Sequence, residues 1–117
     1  MSRTLFHLVG RDEWAQTSAT QTYRPPSLTT EGFIHLSTAS QLLGTARRFF
    51  AGRDDLLAVS IDEDRLGAAV RWESADGELF PHLYAPLDLS TVVEVIPLPR
   101  TNDGFEIPER WGAKRGA

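Results

Sequence analysis

The sequence contains no cysteine. That excludes a disulfide framework, thiolate zinc sites and a cysteine nucleophile, and it points to an intracellular chain. Long apolar runs are missing as well: nothing approaches the roughly 20 residues that a bilayer-spanning helix needs. The opening Met1-Ser2-Arg3-Thr4-Leu5-Phe6-His7 has no signal-peptide core, so a soluble, cytoplasmic domain without membrane association is expected. Phosphate-binding glycine loops are absent, because the nine glycines are scattered singly and none builds GxGxxG or GxxxxGK. A Rossmann or P-loop enzyme is thereby excluded. Positive charge is also short: twelve basic against sixteen acidic residues give a net charge of −4, which lacks the footprint of a general nucleic-acid binder.

What is present suits a single α+β domain over residues 1–117, with 41% hydrophobic and 24% charged residues and no internal repeat. Leu5 to Val9 reads as a strand, and Arg11 to Thr17 as a short helix carrying Trp14. Thr17 to Thr30, broken by Pro25-Pro26, reads as a loop. Gly32 to Ser37 reads as a second strand. Thr38 and Gln41 form a capping-box signature ahead of the clearest helix, in which Leu42, Leu43, Ala46, Phe49 and Phe50 share an apolar face and Gly52 suits the C-terminal cap. Leu56 to Ile61, Val70 to Glu73, Leu79 to Tyr84 and Val92 to Ile96 read as strands. Asp76-Gly77 makes a hairpin turn, and Pro81 argues for an edge position, bulge or kink. Asn102-Asp103-Gly104 predicts a last turn before Phe105. About six short strands, one long helix and one short helix are expected, with an ordered core over about 4–108 and a loose tail over 109–117.

The three histidines all stand in apolar, strand-like contexts. Strand alternation groups His7 with Leu5 and Val9, His35 with Phe33 and Ser37, and His82 with Phe80 and Tyr84. Buried imidazoles need partners, so these are either separately satisfied core residues or the polar groups of one cleft. A zinc ion held by three imidazoles is an alternative, although no HExxH helix or His-x-His pair supports a metal site. Tyr23, Arg24 and Ser27 flank the prolines and offer a phenol, a guanidinium able to clamp phosphate, and a hydroxyl on one arm. Trp14, Trp72, Phe49 and Phe50 are assigned to packing, and Arg47-Arg48 to a solvated helix face.

Tyr23, Ser27-Leu28, Glu31-Gly32-Phe33-Ile34-His35-Leu36-Ser37, Gln41 and Phe80-Pro81-His82-Leu83-Tyr84 together resemble the bacterial family known as domain of unknown function 952, from Leu5 to about Pro108. The order of histidine strand, tryptophan helix, loop, histidine strand and helix is similar, more distantly, to the ADP-ribosyltransferase superfamily and especially its RNA 2′-phosphotransferases. That resemblance implies an ADP-ribosyltransferase-like fold in which His7 holds a nicotinamide ribose. It places His35 and Ser37 in the cleft lining, and Glu78 and His82 near the anomeric carbon.

The expectation is a polar cleft with His7, His35 and His82 as catalytic candidates and Arg24, Ser27, Ser37, Tyr84 and Glu78 as substrate-binding candidates. Its ligand would be nucleotide-like or phosphorylated, with NAD as the possible cofactor and ADP-ribosyl or 2′-phosphate transfer as the reaction. The alternatives are a non-catalytic ligand-sensing or protein-interaction domain with structural histidines, and a His-ligated metal hydrolase.

Overall fold

The computed structural model describes residues 3–19, 21–102, 104–108 and 111. Among these the helices are α1 (Arg11–Ala15), α2 (Pro26–Thr30) and α3 (Ala39–Phe49). The strands are β1 (Thr4–Gly10), β2 (Thr22–Tyr23), β3 (Ile34–His35), β4 (Leu56–Asp62), β5 (Val70–Ala75), β6 (Glu78–Leu83), β7 (Leu87–Asp88), β8 (Val92–Pro97), β9 (Arg100–Thr101) and β10 (Gly104–Phe105). This mixture of strands with few helices is an α+β domain. No helix among the described residues is long and apolar enough to cross a membrane.

Two three-stranded antiparallel sheets carry the fold, ordered β1-β4-β8 and β3-β6-β5. They are joined by one bridge, in which Phe6 and Ser37 exchange N–H···O bonds of 2.8 Å in both directions. In a continuing antiparallel ladder the next hydrogen-bonded pair would be Leu8 with His35; the strands part instead, and the joined sheets form a split arc.

Alternation along β1 explains how the arc is filled. Leu5 and Val9 face one core cluster with Ile34, Leu36, Val59, Leu83 and Leu87. Phe6 and Leu8 face another, with Leu42 and Ala46 of α3. The first sheet is thus buried on both faces, which accounts for the near-continuous apolar runs in β1 and β4.

α3 begins where expected: Thr38 is the N-cap, and the Gln41 side chain accepts from the Thr38 N–H at 3.0 Å. The cap at the other end is Phe50, with Gly52 in the left-handed region (φ +84°) two residues on. Phe49 departs from the packing expected of it and is 69% exposed. At about 100° per residue, Phe49 falls about 20° to one side of Leu42, whereas Ala46, Phe50 and Leu43 fall to the other, so Phe49 lies just over the boundary of the buried stripe.

The Thr17–Thr30 segment is not wholly loop. β2 pairs with β7, and α2 starts with Pro25 as N-cap and Pro26 in its first turn, where the missing N–H would be unpaired in any helix. Pro81 lies in β6, the central strand of its sheet, rather than at an edge. Its carbonyl accepts from the Leu36 N–H at 3.1 Å. The side lacking a donor therefore faces the two-residue β3, and the β5–β6 ladder runs unbroken from Val70–Leu83 to Ala75–Glu78. Within the expected tail, Trp111 is buried and its ring lies 4.5 Å from that of Phe6. The rest of the tail, like Asp103 in the last turn, lies outside the described residues.

Candidate functional site

The Asp76-Gly77 turn, with both residues at positive φ, fixes the β5–β6 register so that Glu73 faces Phe80 and Arg71 faces His82. β3 adds His35 directly opposite His82. Alternation then brings Phe33, His35, Phe80, His82 and Glu73 to one face of the second sheet.

Across from this face stands the flank of α3 turned away from the core. Ser40, Gln41, Gly44, Thr45, Arg48 and Phe49 share that flank and, with the sheet, enclose a cavity of about 770 Å³. This lies within the size range of small-molecule sites. Gln41 ties the two walls together by donating to the Leu79 carbonyl at 2.7 Å and to Glu78 Oε1 at 2.9 Å. Arg48 does the same at the hairpin tip through an ion pair with Asp76 at 2.8 Å. Gly44 is helical and exposed, and a methyl group there would meet nothing within 4 Å. The chain's own packing therefore does not require a glycine at this position.

Two histidines stand side by side in this cavity. The rings of His35 and His82 meet edge to face with centroids 5.4 Å apart. Phe33 stacks flat on His82 at 4.0 Å and touches His35 edge-on at 4.8 Å. His82 is buried, and its Nδ1–H donates to Glu73 Oε1 at 2.7 Å. Tyr84 donates its hydroxyl to the same oxygen at 2.6 Å. These two bonds, Tyr84's first, hold the Glu73 carboxyl below its ordinary range, and Glu73 in turn raises the Tyr84 phenol. Arg71 lies 4.5 Å over the Tyr84 ring. The half-exposed His35 pairs through Nε2 with Glu31 Oε1 at 3.0 Å. Each imidazole is thus tied by one nitrogen to a carboxylate, which fixes its orientation and leaves the other nitrogen for chemistry.

His7 is arranged differently. It reaches the cavity edge, but alternation sends its ring to the opposite face of the arc, beside Tyr23. A carbonyl can only accept, so His7 Nδ1–H donates to the His35 main-chain oxygen at 2.8 Å, and Nε2 accepts from the Tyr23 hydroxyl at 2.7 Å. Burial lowers its pKa to about 4 and raises that of Tyr23. Neutral and doubly bonded, His7 offers no ring nitrogen to a ligand. Its Nδ1–H supplies the donor that the missing Leu8–His35 pair would have given.

Of the other candidates, Ser37 and Glu78 line the cavity, and the buried Ser37 Oγ is 3.2 Å from Thr45 Oγ1. Tyr84 stands one layer behind, on Glu73. Arg24 is exposed and Ser27 lies in α2, and the lining includes neither. Reading the residues in isolation missed Glu31, Glu73, Gln41, Gly44 and Arg48. The Asp-Gly turn register would have found Glu73 opposite Phe80, whereas no local spacing signals Glu31, because the chain from it to His35 is a turn running into a strand. No group of three or more His, Cys, Asp or Glu residues able to hold a metal occurs among the described residues, so the His-ligated hydrolase lacks a ligand set there.

No curated protein matches the chain. The chain is similar to protein CC0527 from Caulobacter crescentus. The crystal structure of that protein is 31% identical with a TM-score of 0.85, and the match covers 92% of this chain and 97% of that one. Its solution NMR structure is 32% identical with a TM-score of 0.77, covering 87% and 90%. The family model described as "Protein of unknown function (DUF952)" matches residues 8–95, which include both cavity histidines, Glu73 and the whole of α3, and the chain belongs to that family.

Proposed function

We propose that the cavity binds a nucleotide-like or phosphorylated small molecule. The observation that carries this reading is the pairing of His35 and His82 at 5.4 Å, each held by a carboxylate, inside an aromatic-walled cavity of about 770 Å³. Phe33, Phe80 and the exposed Phe49 offer ring faces for a planar base, while Arg48 and the protonated form of His35 offer donors to anionic oxygens. The open surface over Gly44 lets a ligand approach the helix backbone closely. An ADP-ribosyltransferase-like role is the enzymatic form of the reading, with NAD as the dinucleotide to try first. In this role His7 acts by positioning His35.

The test is an NMR titration with NAD⁺ and then ADP-ribose, following the ring resonances of all three histidines. Saturable shifts at His35 and His82, lost in Gly44→Leu, are expected. At a hundredfold excess over Kd, binding adds about 2.7 kcal/mol of stability. If no nucleotide shifts these resonances or the melting temperature, the reading fails and the histidines return to a structural role in a protein-interaction domain.

A further inference from the structure

Glu73 Oε1 accepts two hydrogen bonds at once, from His82 Nδ1–H at 2.7 Å and from the Tyr84 hydroxyl at 2.6 Å. A carboxylate that accepts at Nδ1 directs the chemistry of the ring to Nε2. Phe33, stacked at 4.0 Å and 15° from parallel, fixes the ring plane. His35 is held at Nε2 by Glu31, which leaves Nδ1. The cavity therefore presents two neighbouring imidazoles, each with one nitrogen anchored and one left over. One is buried, and the other is exposed enough to exchange protons with water.

We infer that His82 and His35 act as general base and general acid on a phosphate ester of ribose, with Glu73 and Tyr84 as positioning residues. The inference rests on the ligand class proposed above and adds the reaction to it. His82 Nε2 takes a proton from water as the water oxygen bonds to phosphorus. The ester P–O bond breaks, and the departing ribose oxygen takes a proton from Nδ1 of protonated His35. His82 then releases its proton to solvent and His35 regains one, so the net change is addition of water across the ester.

Phosphorus is favoured over the anomeric carbon for a chemical reason. A nicotinamide leaving group departs as a neutral base and gives a general acid nothing to protonate, whereas a ribose alkoxide needs one. The charged and titratable groups around the two rings are Glu73 and Arg71 from β5, Tyr84 just past β6 and Glu31 just past α2, with Arg48 from α3 and Asp76 and Glu78 from the β5–β6 hairpin lining the same cavity. His7 stands behind the His35 carbonyl.

The experiment is ³¹P NMR of adenosine 2′,3′-cyclic phosphate with the full chain across pH, alongside the His-ring titration with the same compound. Conversion to the monoester with a bell-shaped pH–rate profile is expected. His35→Ala should lower kcat at least about a hundredfold and remove the alkaline limb, and added imidazole should restore part of the rate. Glu73→Gln and Tyr84→Phe, acting through His82, should displace the acid limb while KM changes little. Ring shifts without turnover, or unchanged turnover in His35→Ala, would overturn the acid–base inference and leave the binding proposal standing. Absence of both shifts and turnover would remove the two together.

Discussion

His7 donates from Nδ1 to the main-chain carbonyl of His35 across 2.8 Å, so one histidine sets the place of another while both of its own ring nitrogens are engaged. The bond sits where β1 and β3 separate, and the Tyr23 hydroxyl completes it from behind. Neutrality is a condition of this arrangement, because protonated Nε2 could no longer accept from Tyr23.

Acidification should therefore weaken the fold before the carboxylates titrate. The folded pKa of His7, about 4, lies below its ordinary 6.5 through burial, which outweighs the opposing effect of the hydrogen bond to the His35 carbonyl. The unfolded chain binds the proton more readily, so this contribution is full above about pH 6.5 and is lost progressively toward pH 4, amounting to about 3 kcal/mol. Urea unfolding at successive pH values should show this slope. In His7→Leu the slope should vanish, and stability at pH 7 should fall by about 1 to 3 kcal/mol through the unpaired Tyr23 hydroxyl and His35 carbonyl.

Tyr84→Phe should move the Glu73 carboxyl back toward its ordinary range. Tyr84 is the first cause of the depression and His82 the second, so the shift should be partial. A depressed carboxyl stabilises the fold above its unfolded pKa and loses that contribution as pH falls through the folded value. The variant should have less of this contribution to lose, and the loss should be complete at a higher pH. Carboxyl ¹³C titration reads both proteins, and an unmoved Glu73 would mean the Tyr84 bond is not formed in solution.

Gly44→Ala should stabilise the protein by about 0.5 to 1 kcal/mol, the ordinary helical cost of glycine, because the added methyl meets nothing. Gly44→Leu should fold as well yet weaken ligand binding by filling the cavity. Melting curves and the ring titration separate the two effects.

Trp111→Ala should cost about 3 kcal/mol, the usual loss for a large buried aromatic, since it strips the Phe6 ring of its neighbour. A chemical-denaturation midpoint indistinguishable from that of the parent would show that this contact contributes nothing.

Elements whose evidence is local were legible in the sequence. β1 and β4 follow from apolar runs, α3 from the Thr38–Gln41 cap and its spacing, and the β5–β6 hairpin from Asp76-Gly77. Alternation also grouped Phe33 and Ser37 with His35, and Phe80 with His82. What stayed hidden depends on pairing between distant segments. β2 and β7 are two-residue strands defined only by each other, and the His35–His82 juxtaposition requires β3 to lie beside β6. The separation of His7 from the other two histidines arises only once the ladder stops after Phe6 and Ser37. Phe49 misled because a helical wheel does not mark where a buried stripe ends.

The Phe6–Ser37 bridge has a consequence for how this cavity can be altered. The two sheets meet there through main-chain atoms, so side chains that face the space can be exchanged without moving that seam. The ladder stops one pair short, at Leu8 and His35, and both of these residues line the cavity. The place where the two sheets cease to share hydrogen bonds is thus also a place where the chain borders open space.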